Sequence, residues 1–187
     1  SFKNKKLVAI EGAISAPIGV SAIQTAVARG VKRVFVLGLC GAVDNSLNVG
    51  DIILPTCCQR EEGTSFHYLP PDVDATPDRN MRDSLANHLE KRNLLYREGK
   101  TVSTDAPYRQ TINTELTWRE NGILGVDMEM SAVFALCEYL EVPCVGLFVV
   151  SDAHDLTERI DWKWNKQLFE EKLENSLNLL MELTELF

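Results

Sequence analysis

Three short polar or glycine-rich stretches follow apolar runs in this chain, and they hold the residues best suited to chemistry. Glu11-Gly12-Ala13 follows Leu7–Ile10, Gly38 to Gly41 closes the run from Val34, and Ser151-Asp152 ends the run Pro143–Val150. In open α/β sheets the functional crevice lies at the carboxyl ends of strands. Asp127 and Glu129 open a helical pattern just before the last of these runs, which can bring them to the same crevice. Carboxyl groups so placed can donate or accept a proton, or accept hydrogen bonds from a ligand. Each stretch also has a purely structural reading. Asp127 can cap a helix, Glu129 can suit a helix dipole, and Ser151 or Asp152 can cap a turn. Gly38 and Gly41 can serve tight backbone alone. His154 reads as a solvated loop residue, and Trp162 and Trp164 as packing.

Other chemistries find no motif. The chain has no GxGxxG fingerprint, no P-loop and no GxSxG elbow. The histidines, His67, His88 and His154, share no metal-ligand spacing with a cysteine, so no metal is expected. Cys57-Cys58 is vicinal rather than CxxC. The five cysteines read as mostly small buried residues of a reducing, cytoplasmic setting.

The elements that must position these residues alternate. Leu7–Ile10 reads as a buried strand, Pro17–Arg29 as a helix with Pro in its first turn and Gly30 as its stop. Val34–Leu39 and Asp51–Cys57 read as strands, and Gln59–Thr76 as a loop. Asp78–Arg92 reads as an amphipathic helix with Met81, Leu85 and Leu89 on one stripe. A strand over Leu94–Val102 and a short helix over Thr111–Asn121 follow. The helix opened by Val126-Asp127-Met128-Glu129 carries Val133, Phe134, Cys137 and Leu140 inward. Pro143–Val150 reads as a strand buried on both faces, and Trp162–Phe187 as a long amphipathic helix. The alternation predicts an α/β domain with a mostly parallel core sheet.

Composition agrees with a single globular domain of 187 residues, 45% apolar and 25% charged. The formal net charge of −8, without a basic cluster, argues against nucleic acid as a partner. No apolar run approaches membrane-span length, and no signal-peptide pattern opens the chain.

Gly125-Val-Asp-Met-Glu-Met-Ser-Ala, followed by Pro143–Asp152 ending in Val-Val-Ser-Asp, resembles the purine nucleoside and uridine phosphorylase superfamily, which includes the methylthioadenosine/S-adenosylhomocysteine nucleosidases. Gly38-Leu-Cys-Gly-Ala, Val49-Gly-Asp-Ile-Ile-Leu-Pro, Ala13-Ile-Ser-Ala-Pro, Glu62-Gly-Thr-Ser-Phe-His-Tyr and Gly99-Lys-Thr-Val-Ser-Thr-Asp match it in order and spacing. The resemblance implies a three-layer α/β fold, a mixed, mostly parallel sheet flanked by helices. It implies cleavage of a nucleoside's N-glycosidic bond, with inorganic phosphate as co-substrate and no cofactor. Asp152 matches the acid that protonates the leaving base in purine-cleaving members. Glu129 matches the carboxylate that holds the ribose hydroxyls, and Met128 a residue packed on the sugar. Asp127, Cys40 and Gly41 fall in the same motifs. Tyr108 lies beside the position of a base-stacking aromatic, which is Pro107 here. A uridine-type Gln/Arg insert is missing near Tyr108, which favours a purine.

The chain also departs from the pattern. Val36 and Leu39 stand where phosphorolytic relatives place Arg and Ser for phosphate. The chain matches a single domain over 1–187 that starts late relative to those relatives, so an N-terminally truncated member is expected. A nucleosidase or an inactive nucleoside-binding member are the alternatives. The resemblance further implies a homo-oligomer, a dimer or a trimer of dimers.

Overall fold

A computed structural model describes residues 7–153 and, beyond them, the helical positions 167, 170, 171, 174, 178 and 182. The expectation of a helix over 162–187 is met at those positions; His154, Trp162 and Trp164 lie outside the described residues. The elements run α1 (Ala16–Ala28), β1 (Val34–Ala42), β2 (Ile52–Glu61), α2 (Arg79–Lys91), β3 (Arg97–Thr104), α3 (Ile112–Glu120), β4 (Ile123–Asp127), α4 (Met130–Tyr139) and β5 (Cys144–Asp152). Single 3-10 turns lie at Ser65–His67 and Pro107–Arg109.

Local chemistry explains the helices. Pro17 sits in the first turn of α1, and Gly30, at φ 100, lets the chain leave it. The Asp78 carboxylate accepts the Met81 N–H at 2.8 Å and so satisfies a donor that the first turn of α2 leaves free. Met81, Leu85 and Leu89 form the buried stripe of that helix and pack on Leu54, Val145 and Leu147. In α4 every residue from Met130 to Cys137 is buried, because the helix packs both on the strands and on α1.

The strands close into a barrel in the order β1-β4-β3-β2-β5, with β5 returning to β1. β1–β5, β2–β3 and β3–β4 are parallel; β1–β4 and β2–β5 are antiparallel. The expected α/β class and mixed sheet hold. The open, three-layer arrangement does not: each strand has two neighbours. Register shifts at Cys40/Gly41, Pro55/Cys57 and Lys100/Thr101 supply the bends that closure needs.

Closure also corrects the first expected strand. Among the described residues Leu7–Ile10 pairs with no strand and is irregular, with Leu7 and Ile10 each 50% exposed. A further correction concerns the block at Asp127. Ile123–Asp127 is a five-residue strand, and the helix begins at Met130, so Asp127 ends a strand rather than opening a helix. β1 and β2 run further than expected, to Ala42 and Glu61, and β3 starts later, at Arg97.

Candidate active site

Three strand ends meet at one place. Gly41, near the end of β1, pairs with Val126 of β4 on one side and with Asp152 of β5 on the other. Ser103 of β3 pairs with Asp127. A cavity of about 140 Å³ opens there, lined in part by Gly41, Asp127, Met128 and Asp152. That volume is below the few hundred Å³ of a whole small-molecule site, so it suits one part of a ligand. A larger cavity, about 410 Å³, lies at the opposite, amino end of β5, beside Cys144, Asp78 and Glu138; none of the predicted site residues lines it.

Gly41 makes the approach possible. A Cβ there would stand 3.2 Å from Asp152 Oδ2 and 3.4 Å from Val126 Cγ1. The bare backbone leaves that space to the carboxylate. The Ser151 hydroxyl lies 2.6 Å from Asp152 Oδ1 and 3.1 Å from the Cys40 carbonyl, and its single proton can be donated to one or the other of these acceptors.

Asp127 caps the start of α4 and also lines the cavity. Its Oδ2 accepts the N–H groups of Glu129 at 3.0 Å and Met130 at 2.7 Å, which caps α4, and the same residue lines the cavity. Its Oδ1 accepts the Ser103 hydroxyl at 2.5 Å. Burial pushes its carboxyl up to about 7, against the lowering effect of those three hydrogen bonds; the nearby Glu129 charge adds to the rise. Ser103 Oγ in turn accepts the Ser131 N–H at 2.9 Å, and the Ser131 hydroxyl donates to Glu62 Oε1 at 2.8 Å. Glu62 Oε2 accepts the N–H groups of Thr64 and Ser65 at 2.5 and 2.9 Å. A buried chain of polar contacts thus links the cavity floor to the loop after β2. Arg60 fixes that loop further, through the Leu69, Pro70 and Val73 carbonyls and the Ser65 hydroxyl.

The other predicted residues, Glu129, Cys40 and Tyr108, do not line this cavity. Glu129 is partly buried, and its Oε1 accepts the Ser15 N–H, so the residue before α1 is tied to the start of α4. Burial raises its carboxyl above the usual range, and hydrogen bonds from Ser15 and Met128 offset this in part. Cys40 is buried behind the cavity. Burial and the charges of Asp127 and Asp152 push its thiol well up, which keeps it protonated and poor as a nucleophile. Tyr108 is fully exposed, whereas its neighbour Pro107 lines the cavity. Among the described residues, no group of three or more His, Cys, Asp or Glu could hold a metal ion, and no helix is long and apolar enough to cross a membrane.

The sequence did not single out Glu115, Gln110 or Ser103. Glu115 and Gln110 line the same cavity. Their spacing from Asp152 carries no signal, because α3 reaches the barrel mouth only through the packing of Trp118 beside Val43, Val102 and Ile123. Glu62 falls in a motif already quoted, but its partner Ser131 is 69 residues away.

Comparison with known proteins gives the family. Residues 3–183 match the family model of the phosphorylase superfamily, and the chain belongs to that superfamily. It is 29% identical over 136 residues to a guanosine phosphorylase of Halorubrum lacusprofundi, covering 73% of this chain and 56% of that protein. It is 24% identical over 153 residues to a DeoD-type purine nucleoside phosphorylase of Mannheimia succiniciproducens, covering 81% and 64%. A 5'-methylthioadenosine/S-adenosylhomocysteine nucleosidase of Buchnera aphidicola is 24% identical over 153 residues, covering 78% and 66%. The chain spans somewhat more than half, and less than two thirds, of the first two of these curated relatives. Members of the superfamily are nucleoside phosphorylases and nucleosidases, enzymes of nucleoside chemistry.

Proposed function

We propose that this chain cleaves the N-glycosidic bond of a purine nucleoside, with inorganic phosphate as acceptor. The observation that carries the reading is the meeting of Asp152, Asp127, Met128 and Gly41 around one cavity at the carboxyl ends of β1, β4 and β5. As the bond breaks, negative charge builds on the base and positive charge on the ribose. Asp152 supplies a proton to the base nitrogen. Met128 packs against the sugar, and Glu129, two residues past the strand end, accepts hydrogen bonds from its hydroxyls. Tyr108 covers the base from the rim, Gly41 gives Asp152 its space, and Cys40 backs the pocket.

Hydrolysis is the second reading, and one observation favours it. Among the described residues, no Lys, Arg or His lines the cavity, and Val36 and Leu39 stand at the positions matched to phosphate ligands. Release of free base from inosine, adenosine, methylthioadenosine and uridine, with and without phosphate, separates the readings. Phosphate-dependent release supports phosphorolysis, and phosphate-independent release supports a nucleosidase. Uridine as the only substrate overturns the purine assignment, and no release from folded protein supports a nucleoside-binding member. Asp152→Asn should lower kcat by about 100-fold or more, the usual scale for loss of a positioned acid; an unchanged kcat removes Asp152 from the mechanism. The five cysteines, all free, support a reducing, cytoplasmic setting.

A further inference from the structure

A buried side chain bonds directly to the cavity wall and takes no part in the proposed reaction. Ser103, on β3, is 0% exposed, and its hydroxyl donates to Asp127 Oδ1 at 2.5 Å. Its proton has a fixed direction. The Ser131 N–H, at 2.9 Å, and Cys58 Sγ, at 3.2 Å, both meet the same oxygen. An N–H can only donate. Burial and the Asp127 charge push the Cys58 thiol well up, so it keeps its proton and donates as well. Both acceptor positions of the Ser103 hydroxyl are then filled, and its single proton is left for Asp127. The Ser131 hydroxyl does not compete, because it donates to Glu62 Oε1 at 2.8 Å.

The charge of Asp127 depends on such donors. Around it stand Glu129, Cys40 of β1, Cys58 of β2, Asp152 of β5 and Glu115 of α3, none of them basic. Burial raises its carboxyl, and hydrogen bonds favour its charge, the Ser103 hydroxyl's above all and then those of the Met130 and Glu129 N–H groups. The two N–H groups come with the start of α4, whereas the hydroxyl is a choice of side chain. A carboxylate has about four acceptor positions, so these bonds leave room for a ligand. A negative charge held in a site that excludes water favours a developing positive one, and Met128, the next residue, packs against the sugar in the proposed reaction. We propose that Ser103 is a positioning residue, which holds Asp127 at the cavity wall as a charged acceptor facing the nucleoside while positive charge builds on its ribose. This rests on the cavity being the site of the proposed glycosidic cleavage.

The test is the pH profile of kcat/KM for adenosine and inosine, from about pH 5.5 to about pH 9, in the wild type, Ser103→Ala and Ser103→Thr. In the wild type kcat/KM should rise as Asp127 ionises, around pH 7. Without the hydroxyl the carboxyl holds its proton longer. In Ser103→Ala the rise should therefore move up by about one pH unit or more, the scale of one hydrogen bond to a charged group. The loss should be about ten-fold near pH 6 and should close towards about pH 9. Ser103→Thr keeps the hydroxyl and should keep the wild-type profile. A merely structural role would lower the curve equally at every pH. Urea midpoints read the same carboxyl without a substrate. A group that keeps its proton to higher pH goes on costing stability to higher pH. The deficit of Ser103→Ala against wild type should therefore grow from about pH 6 to about pH 8.5. A parallel profile, or a deficit equal at both pH values, overturns the role of Ser103 and leaves the glycosidic reading standing. Failure of the wild type to cleave any nucleoside overturns both.

Discussion

Asp127 both caps α4 and lines the candidate site, and the cost of burying it can be measured. A carboxyl at about 7 in the folded chain, against 3.8 for an ordinary aspartate, keeps its proton where the unfolded chain has lost it. The folded state therefore binds more protons between those two values, and stability falls as pH rises through that window. The full difference is worth at most roughly 4 kcal/mol. Asp127→Asn removes the titration and can keep the cap, since its amide oxygen still accepts from Glu129 and Met130. Relative to wild type, the variant should gain stability from about pH 4 to pH 7, read as urea midpoints at the two ends. An equal difference at both pH values contradicts the raised carboxyl. Gly41 offers a second test. Gly41→Ala pushes against Asp152 Oδ2 at 3.2 Å, so kcat/KM should fall by about ten-fold, as small misplacements do. Thermal stability should change little, and an unaltered kcat/KM would show that Asp152 has room to spare.

At the scale of the element, α2 is the clearest case of local determination. Asp78 caps it, three apolar residues at helical spacing bury it, and the Asp78 N–H bonds the Cys144 carbonyl at 2.7 Å, which docks the helix start on β5. Asp78→Ala keeps that backbone bond and loses only the cap, so it should cost about 1 kcal/mol; chemical denaturation gives the value, and a loss near zero would mean water replaces the carboxylate. β4 is the opposite case. Five residues between Gly122 and Met128 are too few to show strand alternation against a following helix, and the strand exists because β1 and β3 flank it. The candidate site was legible to a corresponding degree. Asp152, Asp127 and Gly41 announce themselves as polar or glycine positions where apolar runs end. Glu115 does not, because its inward direction depends on where α3 docks.

At the scale of the whole molecule, the apolar residues at the start of the described chain stand exposed. Leu7, Val8, Ile10, Ile14 and Ile18 are each half exposed or more, and apolar surface gathered in one stretch is rarely left to water. A homo-oligomer that buries it is the expected state, with a closed dimer the commonest solution. Light scattering over a range of concentrations checks it: a species well above the 20.9 kDa chain mass is expected, and a monodisperse monomer at all concentrations refutes it.

The sequence by itself determined the helices with their caps and stops, the buried run of β5, and the polar strand ends that became the cavity wall. These are decided by hydrogen bonds and apolar periods within a few residues of each position, so they are written locally. Only the tertiary structure decided that the sheet closes, that Leu7–Ile10 stays irregular, that Ile123–Asp127 becomes a strand, and that Glu115 turns inward. Each of these depends on pairing between segments tens of residues apart, fixed by strand bulges and by the docking of Trp118 and α4. No local pattern carries that information, because the energy that selects it comes from contacts the chain makes only once it is folded.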